Sequence, residues 1–198
     1  MSIMVKDYNL RKECPGVHPL HWVNHQYTLV SPLRDGLPSE RDLSTPLSKL
    51  PQPSTEICLA LGELHCFETV DTQFQHWGIQ FVNAIALQPS NPAFGADSAV
   101  ALMGAPKSGW LEIHFQIPIR QIEAQVMSPR TTILSMYGSP AAEQAILQTE
   151  MTLVGTRSPE HPVKQFRSEL SRPQADINKV TFYTFDGQLV INQLFFKF

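Results

Sequence analysis

The chain has 198 residues, a charged fraction of 17% and a formal net charge of −3. That length suits one domain with an appendage, and it allows roughly 70% of the unfolded surface to be buried without help from disulfides or metals. No lysine–arginine run exceeds Arg11–Lys12, which argues against the concentrated basic surface that nucleic acid binding requires.

In chain order, the opening MSIMVKDYNLRKECPG is interrupted by charges before any apolar run develops, so no cleavable signal peptide is expected. No later stretch approaches the roughly 18 apolar residues of a membrane span. The cysteines are Cys14, Cys58 and Cys66, and the last two, lying among apolar residues, read as reduced core thiols. The expected setting is the cytoplasm or the interior of a particle. Residues 1–55 carry Pro15, Pro19, Pro32, Pro38, Pro46, Pro51 and Pro53. Each removes a backbone donor and disfavours helix at the residue before it. Leu20, Trp22, Val23, Tyr27, Leu29 and Val30 are nevertheless too apolar for a free linker. The segment reads as an extended proline-rich arm lying on the main domain or a partner, with a short strand at Tyr27–Val30 and at most one helical turn at Ser39–Leu43.

From residue 56 to 198 the period changes to two. Leu111, Ile113, Phe115 and Ile117 alternate with Glu112, His114 and Gln116, and after Pro118, Ile122, Ala124 and Val126 alternate with Gln121, Glu123 and Gln125. Such alternation sends the two sets to opposite faces of a sheet. Further strands are expected at Ile57–Glu68, Ile79–Leu87, Ala99–Met103, Thr131–Tyr137, Ala145–Val154, Ile177–Phe185 and Gln188–Phe198. Asp186–Gly187 between the last two is a strong hairpin signal. About eight strands with Pro, Gly and Ser loops and no long helix imply an all-β, antiparallel β-sandwich of jelly-roll type.

The stretches Phe67–Glu68, Gly78-Ile79-Gln80-Phe81, Trp110–Pro118, Ser135-Met136-Tyr137-Gly138, Ile177–Phe182 and Val190–Phe196 follow one another as in a known family. From about residue 66 to 198 the chain resembles the galactose-binding-like jelly-roll domains, a carbohydrate-binding-module-like β-sandwich. The resemblance implies that fold and ligand contacts from loops at one end of the sandwich. Some such domains hold a structural calcium ion through acidic residues near the first and last strands. Here Asn192 stands where the pattern favours aspartate, and Gly138 follows Tyr137 where aspartate is common. Those departures remove carboxylates that calcium needs.

Metal candidates are weak throughout. His18, His21 and His25, downstream of Cys14, have spacings that would share a helical face, but Pro15 and Pro19 break that helix; Glu68 is the remaining candidate. No Gly-x-Ser-x-Gly elbow, Gly-x-Gly-x-x-Gly or Walker-type loop is present, so no catalytic residues and no cofactor are expected. Glu112, His114 and Gln116 share a face that is either a polar binding surface or the solvated side of a sheet. The preferred ligand residues are Gln75, His76 and Trp77 before Gly78, and Ser90, Asn91 and Phe94 in a loop stiffened by two prolines. Aromatic rings accept the C–H faces of sugars while amides and imidazoles meet hydroxyls; alternatively Trp77 and Phe94 cap the core. The expected function is a non-catalytic binding module for carbohydrate or a protein surface. The alternative is a structural subunit of a capsid-like or spike-like assembly or homo-oligomer clasped by the arm. A glycan hydrolase requires carboxylates to converge in the fold.

Overall fold

The structure, a computed structural model, describes residues 28–33, 55–90, 94, 100–104, 109–156, 164–185 and 188–198. Cys14, His18, His21, His25, Asn91, the helical turn read at 39–43 and the Asp186–Gly187 turn lie outside those residues. The strands are β1 Thr28–Val30, β2 Glu56–Leu59, β3 Thr69–Val70, β4 Ile79–Val82 and β5 Ala84–Leu87. Next come β6 Ala101–Gly104, β7 Trp110–Ile119, β8 Gln121–Ser128, β9 Thr132–Tyr137 and β10 Leu147–Glu150. The last four are β11 Thr152–Thr156, β12 Lys164–Ser171, β13 Ile177–Thr184 and β14 Val190–Lys197. Among the described residues no helix is long and apolar enough to cross a membrane.

The strands form two sheets packed as a sandwich of jelly-roll type. The larger runs β11-β12-β8-β14-β6-β5-β3, with β2 beside the C-terminal part of β14 and β1 on β2. The smaller runs β10-β9-β13-β7-β4. Among the described residues all pairings are antiparallel except β1 with β2. Alternation supplies the core from both sheets: Leu111, Ile113 and Phe115 of β7 and Val180 and Phe182 of β13 meet Ile122, Ala124 and Val126 of β8 and Ile191, Leu194 and Phe196 of β14. Phe115 stands edge-on to Phe196, ring centroids 5.0 Å apart.

Several expected strands are divided where the chain changes sheet. The segment 79–87 splits at Asn83, whose φ of 62° turns the chain from β4 in the small sheet to β5 in the large one. The segment 145–154 splits at the buried Met151, putting β10 and β11 in different sheets. The expected strand 57–68 ends at Leu59, because Leu61 and Leu64, three residues apart, bury together on a 3-10 turn at Leu61–Glu63. β7 continues through Pro118, which falls within the irregular stretch of its pairing with β13, where no ladder donor is needed. β13 and β14, expected to pair with each other, lie in different sheets: β13 pairs with β7 and β9, whereas β14 pairs with β8, β6 and β2. Each strand buries its apolar face against the other sheet, and that burial outweighs the pairing of sequence neighbours.

Candidate functional site

The small sheet buries one face, so its alternate residues stand on the other, and the register gathers them into rows. Tyr137, Lys179, His114 and Gln80 form one row across β9, β13, β7 and β4. Gln148, Ser135, Thr181, Glu112 and Val82 form the next, beginning on β10. Glu150, Ile133, Tyr183 and Trp110 form the third. Successive rows are two residues apart along a strand, about 7 Å. The result is a broad outer face with amide, hydroxyl, imidazole and carboxylate groups in its middle and an aromatic pair at one end.

Its polar groups are held by one another. The His114 Nε2 contacts Glu112 Oε1 two residues away on β7, with the side chains 28% and 19% exposed. Gln148 Nε2 donates to Ser135 Oγ at 2.9 Å. Lys179 Nζ donates to the Ala142 carbonyl at 3.0 Å and stands 4.3 Å from the centre of the Tyr137 ring. Tyr183, opposite Trp110, is 38% exposed, and Trp110 is half-buried.

The five preferred sequence candidates that fall among the described residues lie on two separate segments, 75–77 and 90–94. Gln75, His76 and Trp77 form a 3-10 turn closed by Gly78 in the left-handed region, φ 73°. Gln75 is exposed and His76 half-buried, while Trp77 packs against the main core. The Gly78 carbonyl accepts the Gln116 N–H at 2.8 Å, so this turn flanks the end of the outer face beyond Gln80 and His114. Ser90 is exposed, but on the connection between two strands of the large sheet. Phe94 is buried there with Ala101, Met127 and Val190 in a second apolar cluster. Its ring covers that patch.

Glu68 Oε1 accepts the His65 N–H at 2.7 Å and closes a turn. Among the described residues no group of three or more His, Cys, Asp or Glu side chains is placed to hold a metal ion. Cys58 is buried as expected; Cys66 is exposed instead, because it sits on the turn that ends the apolar stretch. Sequence reasoning noticed Glu112, His114 and Gln116 but missed Tyr183, Trp110 and Thr181 as their neighbours. The only signal for those was alternation, which shows a face without showing which strands share it.

No family model matches the chain, and no curated protein matches it. Among solved structures, it is similar to the K1 cleaved adhesin domain of Lys-gingipain from Porphyromonas gingivalis W83, with 8% identity, 61% of this chain and 90% of that one covered, and a TM-score of 0.40. It is also similar to a family 29 carbohydrate-binding module, a point mutant of CBM29-2 complexed with mannohexaose, with 11% identity, 73% and 92% covered, and a TM-score of 0.41. A further family 29 module gives 10% identity, 60% and 77% covered, and a TM-score of 0.36.

Proposed function

We propose that the chain is a non-catalytic binding module that takes carbohydrate on the outer face of its small sheet. The observation that carries this reading is the Tyr183–Trp110 pair set beside rows of hydrogen-bonding side chains. Sugar rings offer apolar C–H faces to aromatic rings and hydroxyls to amides, imidazoles and carboxylates, and this face presents both kinds of group side by side. The rigid ladder beneath them keeps ordering costs low on binding. Hydrolysis of a glycosidic bond uses two carboxyl groups about 5–9.5 Å apart. The sheet sets Glu112 and Glu150 three strands and one row apart, roughly 15 Å, which supports binding without cleavage.

Calorimetry with a panel of soluble neutral polysaccharides tests the proposal. The full chain is expected to bind at least one of them, and Tyr183→Ala to weaken that binding by about tenfold, the worth of one stacked ring. Binding to none of the panel, or undiminished binding by Tyr183→Ala, would sink it.

The structural-subunit reading draws on a different observation. Phe67 is 78% exposed and holds φ at 70°, a region that bulky residues rarely adopt. A neighbouring subunit would cover such a ring. Light scattering that shows a monomer, unchanged by Phe67→Ser, would remove that reading.

A further inference from the structure

The outer face is unequal at its two ends. Lys179 points outward from β13, between the inward Ile177 and Val180, yet it is only 9% exposed. Its ammonium group, above the Tyr137 ring, reaches the carbonyl of Ala142 in the connection between β9 and β10. An amine standing on the outer face meets that carbonyl only if the connection, residues 138–146, folds back against the face at the Tyr137 end. Asn178 Nδ2 holds the start of the connection through the Gly138 carbonyl at 2.9 Å. The Ile146 N–H holds its end through the Met136 carbonyl at 2.8 Å, and the Ala142 N–H to Ser139 carbonyl bond turns its tip. Lys179 ties this tip to the sheet.

We infer that Lys179 is a positioning residue of the glycan site: it latches the 138–146 connection over one end of the face, and that wall limits the length of sugar chain the face takes. The inference rests on the carbohydrate reading above. Between the Trp110–Tyr183 row and the His114–Lys179 row lie two row spacings, about 14 Å, which is room for about three pyranose rings. A longer chain running along β7 and β13 from the aromatic end meets the connection. Lysine suits the task because its flexible stem lets one amine serve a carbonyl and an aromatic ring together.

The test titrates the full chain, Lys179→Met and Lys179→Arg with β-1,4-linked gluco- and manno-oligosaccharides of two to six units by calorimetry. Wild-type affinity is expected to rise up to three units and then stay flat within about twofold. In Lys179→Met the six-unit chain is expected to bind at least about fivefold tighter than the three-unit one, and Lys179→Arg is expected to restore the plateau. A merely structural loss would weaken every length alike, so the length profile is the deciding readout. A second variant, with Ser139–Ala145 replaced by an Asn-Gly turn, removes the wall without relying on Lys179 and is expected to behave like Lys179→Met. A plateau kept in both variants, or wild-type affinity that climbs through six units, would overturn the latch while leaving the binding face intact. A wild-type chain that binds no oligosaccharide would overturn both.

Discussion

Gly104 ends β6 where the chain leaves the large sheet. A Cβ there would stand 2.5 Å from the Trp110 carbonyl oxygen and 3.0 Å from its carbon. Both are backbone atoms, so relief requires the start of β7 to move. The same carbonyl accepts Asn83 Nδ2 at 2.6 Å, which joins the Asn83 corner to this approach. Gly104→Ala is therefore expected to cost about 1–3 kcal/mol, seen in urea as a lower midpoint with an unchanged slope. It should also weaken glycan binding, since Trp110 sits on the proposed face. A loss under about 0.5 kcal/mol would mean that the two strands part there freely. Phe115 presents the opposite situation, a large ring in a filled space. It is 3% exposed and stands edge-on to Phe196 and Phe198. Phe115→Ala should cost about 3–5 kcal/mol, and a value below about 1 kcal/mol would contradict its place in the core.

Two hydroxyls at strand ends join the sheets. Ser128 closes β8 and Thr184 closes β13, both are buried, and their oxygens lie 3.0 Å apart. Thr184 Oγ1 spends its single hydrogen on the Thr131 carbonyl at 3.1 Å, so Ser128 is the donor between the two. A double-mutant cycle of Ser128→Ala and Thr184→Val is expected to show coupling of about 0.5–1.5 kcal/mol; additive effects would show that the sheets are joined there by packing alone. Links of this kind are invisible in the sequence because they depend on which strands meet. Alternation in Trp110–Ile119 is legible, since one face is buried and the other is not. β12 escapes the same reading. Its stretch carries Lys164, Arg167 and Glu169, and its eight-residue pairing with β8 is long-range information that no local window holds. Asn83, Arg120 and Met151 each carry the chain between sheets with a single residue, and none carries the Gly or Pro signal of a turn. The candidate site is half legible for the same reason: Glu112 and His114 mark a polar face, but Tyr183 meets Trp110 only through register.

At the scale of the molecule, the question is how much the sandwich depends on the residues before Thr55. Val30 is fully buried in the main core, and Pro32 is buried beside it. β1 covers one edge of β2 in parallel register, Thr28 with Ile57 to Val30 with Leu59. The chain is fastened further by the Ala60 N–H to the Val30 carbonyl at 2.8 Å and the Leu33 N–H to the Gln73 carbonyl at 2.7 Å. A chain beginning at Pro53 loses all of these. It gives up the burial of a valine, about 1.5–3 kcal/mol, and it leaves β2 as an open edge ready to pair with another copy. Its melting temperature is expected to fall, and light scattering is expected to show more self-association than the full chain gives. A chain beginning at Tyr27 keeps β1 and isolates the effect of residues 1–26. Comparing it with the chain beginning at Pro53 separates what β1 contributes from any effect of residues 1–26. If the chain beginning at Pro53 stays monomeric and melts with the parent, β1 lies on the sandwich without supporting it, and the domain begins at β2.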